Sequence, residues 1–295
     1  MGWLGERLSK DARRPFLPPR PDGRWVARQF LSRDLDARVD TFPIADEGGH
    51  GFDAFGMSRS GIAFGLAFSR FLYDLWFRVR SHDIDRVPAE GPTIVAVNHS
   101  GFVPLDGLMV AASLTREGPI GRAPRAVVDH FVPNLPWVNV LFQRAGAIGG
   151  TRGNFHAVLD DGGMVVVFPE GTQGIGKGFA KRYQLQPFRP GHAELAIRHQ
   201  ATIVPTAVIG SEEAWPQIAR LDGLGLFGAP YLPVPLTPLP LPVRHDLWYG
   251  EPIDASARFR PEQADDPTVV ASLAREVQQA VADLVAKGLG ERRWW

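Results

Sequence analysis

The chain has 295 residues, 44% of them apolar, with 32 Lys and Arg balanced by 32 Asp and Glu and with no cysteine. The balanced charge argues against nucleic-acid binding, which normally requires a basic excess, and the lack of cysteine excludes disulfides, thiolate nucleophiles and Cys-ligated zinc. The sequence has no signal-peptide pattern and no run of roughly 20 apolar residues, so we expect an intracellular protein, soluble or bound at a membrane surface.

Residues 1–80 are predicted to be an N-terminal region that precedes the folded domain at residues 81–295. Residues 1–55 are rich in Pro, Arg, Asp and Gly, which predicts an extended arm or linker. Residues 60–79 have a helical pattern dense in Phe, Leu and Trp, with the charged residues on one face. This amphipathic helix either packs on the protein's own core or lies in a membrane interface, with aromatic side chains such as Phe68 in the acyl boundary.

Strands alternate with helices from about residue 90 onward, which predicts one α/β domain with a mainly parallel central sheet flanked by helices. Pro205 argues for a strand end or bulge, and residues 224–243 are too proline-rich for a helix and too apolar for an ordinary linker. Strands are expected at residues 93–97, 125–128, 164–168, 202–208 and 245–249. Helices are expected at residues 105–114, 154–159, 191–199 and 212–221, with a C-terminal docking helix from Asp266 that ends at Gly288.

A first candidate site follows the strand at residues 93–97, which delivers His99 to its carboxyl end, where ligands gather in α/β folds. Gly101, Pro104 and Gly107 force a turn that brings Asp106 to the start of the next helix. The two side chains suggest a general base and its orienting carboxylate, although the pair taken alone favours a structural histidine. There is no G-x-S-x-G elbow, and the scattered histidines lack ligand spacing, so we expect no metal and a base that acts on a substrate hydroxyl.

Two glycine-rich segments supply further candidates. Residues 169–177 follow the buried strand at 164–168 and partly match a phosphate loop that ends in Lys177, but Gly178 replaces the hydroxyl that would bind magnesium. Nucleotide hydrolysis is therefore disfavoured, while the amides could still bind an anionic group. In residues 144–154, the glycines permit close approach of a ligand, and Arg144 or Arg152 could provide a cation.

Four segments together resemble the phospholipid/glycerol acyltransferases, the glycerolipid acyltransferase family that includes the lysophosphatidic acid acyltransferase-like proteins. The resemblance covers about residues 82–254, and its most specific part is Phe-Pro-Glu-Gly-Thr. The segments are Asn98-His99 with Asp106, Gly-Ala-Ile-Gly-Gly-Thr-Arg at residues 146–152, Phe-Pro-Glu-Gly-Thr at residues 168–172, and Ile-Val-Pro at residues 203–205.

The resemblance implies transfer of a fatty acyl group from acyl-CoA or acyl carrier protein to a hydroxyl of a lysophospholipid, glycerol phosphate or related lipid, as in 1-acylglycerol-3-phosphate acyltransferases. His99 would deprotonate the acceptor and Asp106 would orient His99, with no covalent intermediate and no cofactor besides the acyl donor as co-substrate. Arg152, Glu170 and Gly171, with Thr172, would hold the acceptor. Such substrates imply a partner membrane surface and a peripheral location on its cytoplasmic face.

The sequence departs from the family pattern in two places. Six residues instead of four separate His99 from Asp106, so a different partner for His99 stays open. Gln173 stands where many members carry Arg, so the acceptor is neutral, or else Arg144, Arg152 or Lys177 compensates. The alternatives from other classes are a non-catalytic lipid-binding protein on the same fold and a lipid-ester hydrolase, which would need a nucleophile that the sequence does not offer.

Overall fold

The computed structural model describes residues 24–45, 49–100, 105–128, 137–175, 177–222 and 231–292. The expectations about the arm before residue 24, about the turn at residues 101–104 and about residues 224–230 lie outside this set. Within the described residues, no helix is long and apolar enough to cross a membrane.

The helices of the described residues cover both faces of a central sheet. They are α1 (Trp25–Arg28), α2 (Arg33–Asp40), α3 (Arg59–Arg70), α4 (Leu105–Glu117), α5 (Val138–Arg144), α6 (Arg152–Asp160), α7 (Thr172–Ile175), α8 (Gly191–Arg198), α9 (Ser211–Ala214) and α10 (Pro267–Glu291). Helix α3 continues directly into a π-helix at Phe71–Trp76.

The strands form one large sheet and one separate hairpin. They are β1 (Arg80–His82), β2 (Thr93–Val97), β3 (Pro124–Val128), β4 (Ile148–Gly149), β5 (Met164–Val167), β6 (Thr202–Ile209), β7 (Gln217–Asp222), β8 (Tyr231–Pro235), β9 (Asp246–Tyr249) and β10 (Ile253–Asp254). The large sheet has the order β1-β9-β6-β2-β5-β3-β4, with β10 also paired to β6, and β7 pairs with β8.

The large sheet is parallel from β6 through β2, β5 and β3 to β4, and it reverses direction where β6 meets β9 and β10. The predicted α/β class with a mainly parallel sheet is confirmed. Because β2 lies inside the sheet, all five of its residues are buried. Its carboxyl end, where residue 98 begins, therefore opens at the same edge as those of β5 and β6.

The sheet separates two apolar layers, as the period-two alternation of a buried strand requires. Ile94 and Ala96 of β2 point into a layer shared with α6, α8 and α10. Val95 and Val97 point to the opposite layer, which α4 covers with Val110 and other apolar residues. The site at the end of β2 is thus held between helices on both faces, and α4 supplies its first turn to that site.

Pro205 lies inside β6 and not at its end, and the register with β2 runs through it without a bulge, so the expectation of a strand end or bulge is wrong. On its other side β6 pairs with β10 at residues 202–203 and with β9 at residues 206–209. The Pro205 carbonyl accepts the Gly250 N–H at 2.8 Å on that side. Since the N–H and C=O of one strand residue point the same way, the missing N–H of proline falls in the gap between β10 and β9.

Three other expectations are corrected. The region of residues 1–55 is not wholly extended, because α1 and α2 form within it and bury Val39 and Phe42 against α3. The helix expected at residues 212–221 ends at Ala214, and Pro216 precedes strand β7. Gly288 does not end α10, which continues to Glu291. The glycine is instead needed inside the helix, because a Cβ at residue 288 would lie 2.8 Å from the Trp248 indole nitrogen.

Candidate active site

His99 and Asp106 form a close pair at the carboxyl end of β2. The His99 Nδ1 atom lies 2.7 Å from Asp106 Oδ2, and the Asp106 carboxylate is fully buried in the first turn of α4. The same Oδ2 accepts the Ser100 N–H at 2.9 Å, while Oδ1 accepts the Gly107 N–H at 2.7 Å. The longer segment between the two residues therefore still brings the carboxylate onto the imidazole.

This pairing fixes how the imidazole faces the site. A carboxylate can only accept a hydrogen bond, so the proton lies on His99 Nδ1 and the lone pair lies on Nε2. Among the described residues, Nε2 has no partner. The ring packs against Phe168 with a centroid distance of 4.3 Å, and the side chain is one-tenth exposed. The arrangement presents a basic nitrogen to a partly closed space.

Glu170 holds the backbone of His99 from the other side. Its Oε1 accepts the His99 N–H at 2.8 Å, and its Oε2 accepts the Gln186 N–H at 2.7 Å. The carboxylate is fully buried, and the Lys177 ammonium lies 3.4 Å from Oε2. The geometry thus supports a positioning role for Glu170, whereas its expected contact with the acceptor stays a prediction.

Lys177 joins Glu170 to a second buried carboxylate that the sequence analysis did not single out. The Lys177 Nζ atom lies 3.0 Å from Glu212 Oε1, and Glu212 Oε2 accepts the Tyr183 N–H at 2.9 Å. Burial raises the pKa of Glu212, and the neighbouring ammonium opposes that rise. In the sequence, the one feature that could have indicated Glu212 as a site residue is its position just beyond the carboxyl end of β6, the edge of the sheet where ligands gather.

The structure does not bring Arg144 and Arg152 into this cluster. Arg144 stacks on Phe52, with 4.1 Å from its guanidinium carbon to the ring centroid. Arg152 is 80% exposed and forms an ion pair with Glu194 at 3.3 Å. Their roles as substrate ligands stay predictions, as does that of Thr172, whose side chain lies outside the described set.

Gly171 lies beside a cation that the sequence analysis missed. Gly171 adopts φ of +57°, and a Cβ built there would lie 3.1 Å from the Arg189 guanidinium carbon. Arg189 is exposed, and its side chain makes no hydrogen bond or ion pair within the described part of the chain. Its backbone N–H is anchored to the Pro169 carbonyl at 3.0 Å, so the contact depends on a loop pairing that sequence spacing does not reveal.

A narrow cleft adjoins His99. It is lined by Ser100, Gly174, Lys177 and Glu212 among others. A Cβ on Gly174 would lie 3.0 Å from His99 Cβ and 2.8 Å from Glu170 Cβ, so glycine keeps this wall of the cleft thin. No group of three or more His, Asp or Glu side chains that could hold a metal ion occurs in the parts of the chain that the structure describes.

Residues 78–209, which contain β2, β5, all of β6 and the His99–Asp106 pair, match the family model described as Acyltransferase. The part of the chain at residues 78–209 is therefore an acyltransferase-family domain. The resemblance carried by the four sequence segments is thereby confirmed.

The chain is similar to curated relatives from bacteria and animals. It is 38% identical to an uncharacterized protein of Mycobacterium leprae, over 77% of this chain and 64% of the relative. It is 26% identical to the "DGAT1/2-independent enzyme synthesizing storage lipids" of Bos taurus, over 72% of this chain and 60% of that protein. The chain therefore spans less than two thirds of the length of either relative.

The fold of the chain has a counterpart among solved structures. The crystal structure of the 1-acyl-sn-glycerophosphate acyltransferase PlsC from Thermotoga maritima superposes with a TM-score of 0.55, covering 91% of this chain and 88% of that one. The sequence identity is 16%, so the likeness establishes the fold alone.

Proposed function

We propose that this protein transfers a fatty acyl group from a thioester donor, acyl-CoA or acyl carrier protein, to a hydroxyl of a lipid acceptor. The observation that carries the proposal is the 2.7 Å contact between His99 Nδ1 and buried Asp106, which leaves Nε2 without a partner among the described residues. Family membership adds support. A protein that only binds lipid has no use for an imidazole held in this way.

The proposed reaction is a direct attack. His99 Nε2 removes the proton of the acceptor hydroxyl, and the oxygen forms a bond to the thioester carbonyl carbon, whose π electrons move onto the carbonyl oxygen. Asp106 stabilises the imidazolium that forms. The tetrahedral intermediate then re-forms the carbonyl, the C–S bond breaks, and the thiolate takes the proton from His99. No enzyme ester forms, so the free base is ready for another turnover.

The acceptor class that the site favours is a neutral glycerolipid hydroxyl. Gln173 supplies no cation, Lys177 is shared by two carboxylates, and Arg152 is paired with Glu194. The Bos taurus relative carries a name that refers to storage lipids, which agrees with this choice. The second candidate is a phosphate-bearing acceptor such as lysophosphatidate, and the observation that favours it is the exposed Arg189 guanidinium beside Gly171.

An acceptor panel with labelled acyl-CoA tests both the reaction and the acceptor. We expect transfer to monoacylglycerol or diacylglycerol to exceed transfer to lysophosphatidate and glycerol 3-phosphate. A preference for lysophosphatidate that Arg189→Gln removes would establish the phosphate-bearing class instead. A wild-type protein that binds these lipids and acylates none of them would establish the non-catalytic alternative.

Removal of the base tests the mechanism. We expect His99→Ala to lower kcat at least about 1000-fold and Asp106→Asn to lower it about 100- to 10,000-fold, because the amide cannot orient or stabilise the imidazolium. His50→Gln, on the exposed surface, is the control. Acyl transfer by His99→Ala at the wild-type rate would refute the mechanism.

We further propose that the protein works at the cytoplasmic face of a membrane, bound peripherally. Helix α3 and the π-helix bury Leu66 and Tyr73 on one side. On the other side they expose apolar residues at the spacing i, i+4, i+7 and i+11, the pattern of an interfacial helix. These residues are Phe64, Phe68, Phe71 and Leu75.

A further inference from the structure

The hydroxyl of Ser100 is a buried polar group without a hydrogen-bond partner. Ser100 is 1% exposed, and its Oγ atom is among the buried side-chain atoms that no described residue satisfies. An unsatisfied buried hydroxyl costs about 1–3 kcal/mol, so its place beside the base calls for a reason. The neighbouring carboxylates of Asp106 and Glu170, by contrast, each accept two backbone N–H groups.

The position of this hydroxyl is fixed by the same contacts that hold the base. Ser100 directly follows His99, and its backbone N–H donates to Asp106 Oδ2 at 2.9 Å. The residue lines the narrow cleft together with Gly174 and Lys177. Gly174 in turn adjoins His99, since a Cβ there would lie 3.0 Å from His99 Cβ. The free hydroxyl therefore lies in a cleft that adjoins the base, because Ser100 follows His99 in the chain and Gly174 packs against both the cleft and His99.

The proposed reaction requires a donor in that space. When the acceptor oxygen attacks the thioester, the carbonyl oxygen becomes an oxyanion, and a preorganised donor lowers the barrier most when it meets that charge in a water-poor site. Lys177 is a poorer candidate, because its ammonium lies 3.0 Å from Glu212 and 3.4 Å from Glu170, which offset its charge. A hydroxyl without a competing partner can donate fully.

We propose that Ser100 is a further catalytic residue, whose Oγ–H donates a hydrogen bond to the thioester carbonyl oxygen as that oxygen gains negative charge. This inference rests on the proposed acyl transfer. The Ser100 proton stays on Oγ throughout, and the acceptor proton passes through His99 to the leaving thiolate. Ser100 is thus neither the nucleophile nor the base.

The test compares Ser100→Ala with Ser100→Thr in the full chain, with saturating acyl-CoA and the best acceptor of the panel. We expect Ser100→Ala to lower kcat about 100- to 1000-fold, the effect of removing one oxyanion donor, with both KM values within about threefold of wild type. Ser100→Thr keeps the hydroxyl and should recover at least about tenfold of the lost kcat.

Thermal unfolding separates this role from a structural one. Because the hydroxyl has no partner in the folded protein, Ser100→Ala should leave Tm unchanged or raise it. The inference is overturned if Ser100→Ala keeps the wild-type kcat, or if its loss of activity follows a loss of Tm. Failure of the proposed function is distinguishable, since it would show as a wild-type protein without transferase activity or as an active His99→Ala.

Discussion

Glu170 links the base to the rest of the site at the level of single atoms. One oxygen binds the backbone of His99, the other binds Gln186, and Lys177 neutralises part of the charge. Two buried carboxylates, Glu170 and Glu212, share this one ammonium. The free-energy cost of removing these charges from water is large, so the cluster is stable only while each of its charged side chains is present.

Replacing Lys177 should therefore be far more costly than breaking a surface ion pair. We expect Lys177→Met to lower the free energy of unfolding by about 3–5 kcal/mol, because it leaves Glu170 and Glu212 buried without a cation. Urea unfolding at pH 7 measures this. The control, Arg258→Gln, breaks an exposed pair with Glu276 and should cost no more than about 1 kcal/mol.

The same variant should show a pH dependence of defined sign. Burial raises the pKa of Glu212, so the folded state binds this proton more tightly than the unfolded state, and stability falls as the pH rises from the unfolded pKa through the folded pKa. Without Lys177 that rise is larger, so the deficit of Lys177→Met should be greater at pH 8 than at pH 5. An equal deficit at both values would contradict the assignment of the charge to this cluster.

The sequence predicts the contact between His99 and Asp106 better than the contacts that other parts of the chain make with this pair. His99 and Asp106 are separated by a short segment, so local turn chemistry suffices to bring them together. Lys177 and Glu212 meet only through the packing of α9 against the loop after α7, which no local pattern encodes. Arg189 likewise reaches Gly171 through a contact between two loops.

At the level of elements, Arg144 has a structural role in the contact between α3 and α5. Its backbone carbonyl accepts the Ser58 N–H at 3.1 Å, at the start of α3. A Cβ on Gly61 would lie 2.1 Å from that same carbonyl oxygen, so the two helices approach too closely for any side chain at residue 61. The residue expected to bind substrate thus anchors the N-terminal helix.

Gly61→Ala should separate these helices. We expect it to lower the free energy of unfolding by about 1–3 kcal/mol, because backbone and not a flexible side chain blocks the added methyl group. Gly153→Ala is the matched control in α6, where a Cβ meets nothing within 4 Å and should stabilise the protein by up to about 1 kcal/mol. Urea unfolding distinguishes them, and equal effects would refute the close contact.

Glycine and proline also explain why some predicted boundaries of helices and strands are wrong. Taken as local signals, they end helices and strands, which holds for Pro216 after α9. Gly288 and Pro205 instead sit inside α10 and β6, where a close indole and a change of strand partner make them acceptable. Such tertiary reasons cannot be seen in a single sequence.

At the scale of the whole molecule, the N-terminal helices place an apolar stripe on the outside of the domain. Phe68 is 65% exposed and Leu75 is 67% exposed. Nearby, Trp76 donates to the Pro240 carbonyl at 3.0 Å, which brings the segment with exposed Leu239 alongside. The exposed apolar surface of the N-terminal helix therefore continues onto the proline-rich segment around Leu239.

A double substitution tests the membrane proposal. We expect Phe68→Ser with Leu75→Ser to weaken binding to vesicles of phosphatidylcholine and phosphatidylglycerol at least about tenfold, since each side chain loses more than about 1 kcal/mol of apolar burial in the bilayer. Ile120→Ser, which removes another largely exposed apolar side chain, is the control. Co-sedimentation of the double variant equal to that of the wild type and of the control would rule out this surface.

The central position of β2 also has a consequence for how the protein is made. β2 pairs with β5 on one side and with β6 on the other, so its two neighbours are contributed by much later parts of the chain. Long-range parallel pairing is slow, because the connecting chain must be closed before the contacts form. During synthesis His99 cannot gain its full surroundings until the ribosome has released the chain through Ile209, so the chemistry of the site arises only near the end of folding.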